Sequence, residues 1–258
     1  MNAAWAELRK ARRSRLPWVT ALAFAVAAGF GGLVMFILQD LRRARAFGLL
    51  GTKATLTGGT ADWPAYFTLL AQSIAVGGAV LFGVIVIWTF GREFSQDTLK
   101  DLLALPTART TIVGAKFAVV AVWCGLLTLQ TYLLGLVIGA AIGLPGWSAA
   151  TAAGGLADVL LASAMTIALV TPFAFAASVG RGYLAGIGVM FLTVFLAQVI
   201  ALLGYGAYFP WSVPALATGI AGADHDPPGP LGYALVVLVG GAGTVGIALW
   251  WKHADQDR

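Results

Sequence analysis

Charge is what this chain has least of. Lys, Arg, Asp and Glu together make up 10% of its 258 residues, where soluble domains carry roughly a quarter. A water-facing surface of ordinary size cannot be built from that supply, so most of the exterior must meet lipid. Glutamate occurs only as Glu7 and Glu93, and histidine only as His225 and His253, neither inside an apolar run. A membrane-embedded enzyme needs paired acids, a histidine cluster or an activated nucleophile at one depth, and that inventory is nearly empty. An ion-coupled carrier or channel usually buries several ionisable groups, for which Asp158 alone is a poor basis. One cysteine, Cys124, excludes an intrachain disulfide and a cysteine metal cluster. Asp224-His225-Asp226 offers too few ligands for an ion, and reads as a solvated loop tip. No G-x-x-x-x-G-K-[ST] occurs, so the chain has no phosphate loop for a nucleotide.

What is abundant is apolar sequence: 59% of residues are hydrophobic and mean hydropathy is +0.86. Six runs are long enough to cross a hydrocarbon core of ~30 Å, which takes roughly 20 helical residues. They lie at about 17–38, 67–90, 112–141, 154–178, 183–208 and 231–251. Backbone groups in lipid must pair within their own segment, and the alternation of a membrane barrel is absent, so the runs read as helices. The expected fold is an all-α membrane protein forming one transmembrane domain over 1–258. The first run is too long, and lacks the small-residue site, for a cleavable leader.

The net charge of +5 does not point to nucleic acid, because the basic residues flank the apolar runs where anionic headgroups sit. With both termini inside, the inner segments hold twelve of the sixteen Lys and Arg residues. Arg42, Arg43, Arg45 and Lys53 fall in the first outer loop, and the Arg42–Arg45 cluster is an exception without a physical account. Twelve against four places both ends in the cytoplasm. Five prolines, Pro210, Pro214, Pro227, Pro228 and Pro230, exclude a continuous helix over 209–230. Gly180–Gly182 makes a tight turn between spans four and five.

Residues 2–16 have an interfacial pattern. On a helix Trp5, Leu8 and Ala11 share one stripe, and Arg9, Lys10, Arg12 and Arg13 cover the remainder, as in helices that lie flat among headgroups. The stretch 91–116 holds Glu93, Asp97 and Asp101 in otherwise apolar surroundings. Thr98 and Asp101 have capping-box spacing, so a short helix is predicted to start at Leu99. Leu99, Leu102 and Leu103 give it an apolar face, and Pro106 ends it.

The run Glu93, Thr98-Leu99, Leu102-Leu103, Pro106, Arg109, Gly114 and Lys116 resembles the first cytoplasmic loop of type-2 ABC exporter permeases. Asp97 stands where that family usually has glycine. The motif covers about a tenth of the chain, and the six-span layout and basic N-terminal helix extend the likeness over its length. The resemblance implies a coupling helix between spans two and three, with Glu93, Thr98, Leu99, Asp101, Leu102, Leu103, Pro106 and Arg109 meeting a separate ATPase. It further implies two permease copies, expected as a homodimer, two ATPase copies in the cytoplasm, and ATP and magnesium bound in the partner rather than here. The expected role is a non-catalytic pathway subunit of an exporter in a bacterial plasma membrane. Its cargo would be hydrophobic or amphipathic: a drug, an antimicrobial peptide or a lipid.

Isolated polar residues complete the picture. Asp158 reads either as a lining residue of the pathway or as a helix-start acid favoured by the N-terminal dipole. Gln72, Gln130 and Gln198 suit packing bonds between helices. Pro172 is predicted to kink span four. Gly135, Gly139 and Gly143 have close-packing spacing that permits a tight helix contact or a dimer face.

Overall fold

Long apolar runs give the chain little choice but helix, because an amide left unpaired in lipid costs several kcal/mol. The computed structural model describes residues 3–40, 59–96, 98, 107–222 and 227–253. It contains α1 (Ala3–Arg13), α2 (Leu16–Gln39), α3 (Trp63–Ser95), α4 (Arg109–Ile142) and α5 (Ala149–Leu169). There follow α6 (Thr171–Val179), α7 (Tyr183–Leu202), two 3-10 turns (Gly206–Tyr208 and Pro210–Ser212), α8 (Val213–Ala217) and α9 (Pro230–His253). No strand occurs among the described residues. Among the described residues six spans are long and apolar enough to cross a membrane: α2, α3, α4, α5 with α6, α7, and α9. They alternate in direction, so that α1, the end of α3, the start of α4 and the end of α9 gather at one end, called here the basic end.

α3 is the centre of the bundle. Its Tyr66, Phe67, Leu70, Ile74, Phe82, Ile85 and Phe90 are buried, packed on α5, α4, α2 and α6. α2, α7 and α9 leave most of their surface uncovered. At the far end α3 starts at Asp62, whose carboxylate accepts from the Ala65 amide at 2.9 Å, and α5 starts at Ser148, which accepts from the Thr151 amide at 2.9 Å. Such caps satisfy amides that have no partner within the helix.

Several expectations change here. The fifth span ends at Leu202 rather than near 208. Gly204 takes φ +84°, and the Tyr205 amide reaches back to Ile200 O at 3.0 Å, a Schellman closure that stops the helix. Gly135 and Gly139 face α3 of the same chain: a Cβ on Gly139 would lie 2.6 Å from Trp63, and one on Gly135 would strike Leu70. Their spacing therefore serves an internal contact. Gly143, at φ +73°, closes α4 instead of packing.

The kink of span four is present. The helix breaks at Val170, and Thr171 Oγ1 lies 2.8 Å from Ala168 O and 2.9 Å from Gly240 O. A Cβ at Gly243 would come within 2.7 Å of the Pro172 nitrogen, so α9 approaches the kink at backbone distance. Gln130 donates to Ala21 O at 2.8 Å and Gln72 to Thr218 O at 3.2 Å, both between elements. Asp158 is not a helix-start acid. α5 begins at Ala149, so Asp158 stands roughly 14 Å along the axis, beyond the reach of the terminal dipole. It borders a groove of about 110 Å³ with Thr68, Met165 and Thr218.

If the Gly139 approach holds α4 on α3, Gly139→Ala should cost about 1–3 kcal/mol by overpacking. Gly125→Ala, where a Cβ meets nothing within 4 Å, should cost nothing. Thermal unfolding of the two variants in detergent compares them directly.

Candidate functional site

α3 has 33 residues and α4 has 34, each roughly 50 Å long. Both exceed a ~30 Å hydrocarbon layer, so their excess length can stand at the basic end. There Glu93, in the last turn of α3, meets Lys116, two turns into α4. α1 packs alongside α4 and adds Glu7 and Lys10. The result is a closed square of two carboxylates and two ammonium groups. Lys10 Nζ lies 2.8 Å from Glu7 Oε1 and 2.8 Å from Glu93 Oε1. Lys116 Nζ lies 3.0 Å from Glu7 Oε2 and 3.0 Å from Glu93 Oε1.

The square is satisfied to its last proton at Lys116. That side chain has no exposed surface, and its three donors find Glu7 Oε2, Glu93 Oε1 and Thr89 O, all at 3.0 Å. Its ammonium also faces the Phe90 ring at 5.9 Å. Glu93 uses its second oxygen to accept from the Thr98 hydroxyl at 2.8 Å, and its carbonyl accepts the Thr98 amide. Burial by itself would lower the pKa of Lys10. The hydrogen bonds and charges of Glu7 and Glu93 outweigh it and hold that pKa above the ordinary lysine value.

On the other side of the segment that follows Thr98, Arg109 opens α4. Its guanidinium donates to Trp251 O at 3.2 Å and Lys252 O at 3.5 Å, the orphan carbonyls of the last turn of α9, where a cation is favoured. Trp251 in turn packs against Phe90 and Phe94 of α3 and donates to Ser178 Oγ at 3.2 Å. Gly91 admits the backbone of the 180–182 turn, with Gly182 3.2 Å from where its Cβ would be. Thr98 is therefore held to Glu93, which itself pairs with α1 and α4, and Arg109 joins α4 to α9.

A family profile described as ABC-2 family transporter protein matches residues 3–197. The chain belongs to that family. This ABC-2 protein is also 28% identical over 151 residues to the bacitracin transport permease protein BCRB of Bacillus licheniformis, an alignment covering 58% of this chain and 73% of the relative. It is a multi-pass membrane subunit of an ABC transporter, and membership of the family implies an ABC ATPase as partner.

The structure of this ABC-2 subunit treats the sequence candidates unequally. Glu93, Thr98 and Arg109 come together at the basic end, but Glu93 is 2% exposed and engages α1 and α4 rather than the outside. Leu99, Asp101, Leu102, Leu103 and Pro106 lie outside the described residues, as do Arg42, Arg43, Arg45 and Lys53 of the far-end loop and the Asp224–Asp226 triplet. On α1 the expected division is corrected. Glu7 and Ala11 are buried, and Lys10 turns inward with them; Trp5, Leu8, Arg9, Arg12 and Arg13 form the outward face. Positions 7, 10 and 11 share one helical face, which the acid and lysine rather than the tryptophan decide.

Glu7 was missed as a site residue, and Lys116, quoted in the family motif, was given no site role. For Glu7 the signal was one acid in a basic helix. No cluster of three metal-ligating side chains occurs among the described residues.

Removing one member of a buried ionic square strands its neighbours. Lys116→Met should cost about 3–5 kcal/mol and speed hydrogen exchange over residues 3–13. Adding Glu7→Gln to it should recover part of that loss, a coupling read from a double-mutant cycle of melting temperatures. The sign for Lys10 follows from its raised pKa. Its stabilisation is complete below the unfolded value near 10.5 and fades as pH climbs through the higher folded one. Exchange protection of residues 3–13 should stay flat from neutral to mildly alkaline pH and drop only above that value.

Proposed function

We propose that this subunit forms the translocation pathway of an ATP-driven exporter and is moved by an ATPase that docks on residues 98–108. The observation that carries the proposal is the anchoring of both flanks of that segment. Glu93 and Thr98 fasten one flank to α3, α4 and α1, and Arg109 fastens the other to α9. In this reading the segment between the two anchored flanks acts as a lever: displacing it displaces four elements together.

In this reading Leu99, Leu102 and Leu103 present an apolar face to a cleft in the ATPase, Thr98 with Asp101 caps the start of the short helix, and Pro106 ends it. ATP and magnesium bind in the partner. Closure of the ATPase pair drives the bundle between inward and outward access, which requires the two arrangements to differ in affinity for the partner, typically by 1–3 kcal/mol. Two copies of this chain, as a homodimer, pair with two ATPase copies. The basic end, with both termini, faces the cytoplasm of a bacterium, and α1 lies in the adjoining membrane interface.

The cargo is hydrophobic or amphipathic, of the drug, antimicrobial peptide or lipid classes, since the spans offer few charges. The description of the Bacillus relative, bacitracin transport, favours cargo of that kind. Asp158 borders an otherwise weakly polar groove on the half of the bundle toward the far end, where it is suited to line the pathway.

The test is co-purification. With the ATPase co-expressed, Leu99→Asp with Leu102→Asp should reduce co-elution at least tenfold and abolish transport-coupled ATP hydrolysis, while the melting temperature of the subunit stays unchanged. An undiminished complex would remove the docking role from this segment.

A further inference from the structure

α1 has two faces with opposite assignments, and among the described residues only the inner one is covered. The outer face carries Trp5, 51% exposed, and Leu8, 41% exposed. Beside them Arg9 stacks on Trp5, its guanidinium carbon 5.2 Å from the ring centroid. Arg12 and Arg13 complete a groove of about 400 Å³, within the ~300–1,000 Å³ of small-molecule sites. The surroundings define what can fill it. Five residues beyond Arg13, Trp18 is 79% exposed, followed by Val19 at 58% and Leu22 at 66%. These are the first lipid-facing side chains of α2, so the boundary of the hydrocarbon layer falls beside the three arginines. An apolar floor against that layer, with guanidinium groups at its edge, matches an acyl glycerol body with an anionic head. A water-soluble polyanion would leave Trp5, Leu8 and Trp18 uncovered.

We infer that the outer face of α1 is a binding site for an anionic phospholipid of the leaflet at the basic end, and that the bound lipid braces the contact of Lys10 with Glu93 on the opposite face. Lys10 is one residue from Arg9 and two from Arg12, on a helix of eleven residues. A lipid that fixes the outer side chains fixes the roll of the helix, and the roll determines whether Lys10 reaches Glu93. The inference rests on the interfacial placement of α1 proposed above and adds the ligand and its effect on the site.

The probe is phosphatidylglycerol. The full chain, with no ATPase present, is placed in nanodiscs of phosphatidylcholine with or without phosphatidylglycerol, and retained lipid is counted by native mass spectrometry. Each surface cation near an anionic leaflet is worth roughly fivefold in binding, so three give a preference on the order of a hundredfold over phosphatidylcholine. That preference should collapse in the variant Arg9→Gln, Arg12→Gln, Arg13→Gln and shrink as salt is raised. Hydrogen exchange over residues 3–13 should slow when phosphatidylglycerol is added to the native chain, and not in the variant. Because these arginines are outward-facing, the melting temperature should confirm that the variant is folded. Equal retention of the two lipids, or undiminished retention by the variant, overturns the proposal. Failure of the exporter reading leaves the lipid result unaffected, since no ATPase or transport enters it.

Discussion

Lys116 has no contact with water, and its presence inside a chain this apolar is tolerable only because three acceptors meet its three protons. An isolated ammonium in such surroundings would cost several kcal/mol and would tend to lose its proton. Its partners come from two other helices, α1 and α3, so the requirement to neutralise one lysine forces α1, α3 and α4 into register at the basic end. The same requirement explains why the only two glutamates of the chain are both there. A buried square of this kind adds little net stability compared with apolar packing. What it adds is specificity: slide one helix past another and a charge is left alone.

The two ends of the bundle are built on different physics. At the far end, α3 and α4 are brought together by steric fit, with Gly135 and Gly139 admitting Leu70 and Trp63, and Trp63, Phe67 and Tyr132 stack in sequence. Such contacts are short-ranged and favour one separation. At the basic end the helices meet through ion pairs and carbonyls, longer in reach and able to exchange partners. Arg109 can trade one carbonyl of α9 for its neighbour, as its bonds to both Trp251 and Lys252 illustrate. The proposed coupling, in which an ATPase moves the bundle from its basic end, calls for a distribution of that sort: firm packing away from the docking segment and exchangeable polar contacts beside it. The break at Val170 and Pro172, covered by α9 at backbone distance, gives span four a place to bend between the two.

Much of the site was legible, but from one partner at a time. Glu93, Thr98 and Arg109 stood out because polar residues were clustered beside an apolar run, and all three take part at the basic end. Lys10 was assigned to the outer face of α1 because it sits in a basic string, and charge strings read as solvated surface. Glu7 was unremarkable singly, and Lys116 stood only as the end of the family motif. Their significance is relational: they lie 109 residues apart, and no local pattern connects them. Asp158 was judged by its distance from the predicted start of span four, and the true start at Ala149 moved it well into the helix. Small and weakly polar residues such as Ala149, Thr151 and Gly154 blur a hydropathy boundary that Ser148 marks sharply by hydrogen bonding.

Composition and apolar run length alone determined that the chain is helical and has six segments able to cross a membrane. This follows because lipid leaves the backbone no other way to pair. Tertiary structure alone decided which face of α1 looks inward, where span five stops, and that two glutamates and two lysines close into one square. Hydropathy is a sum over neighbours in the chain. Charge pairing is set by where helices far apart in sequence come to rest against one another, and only the packed bundle determines that.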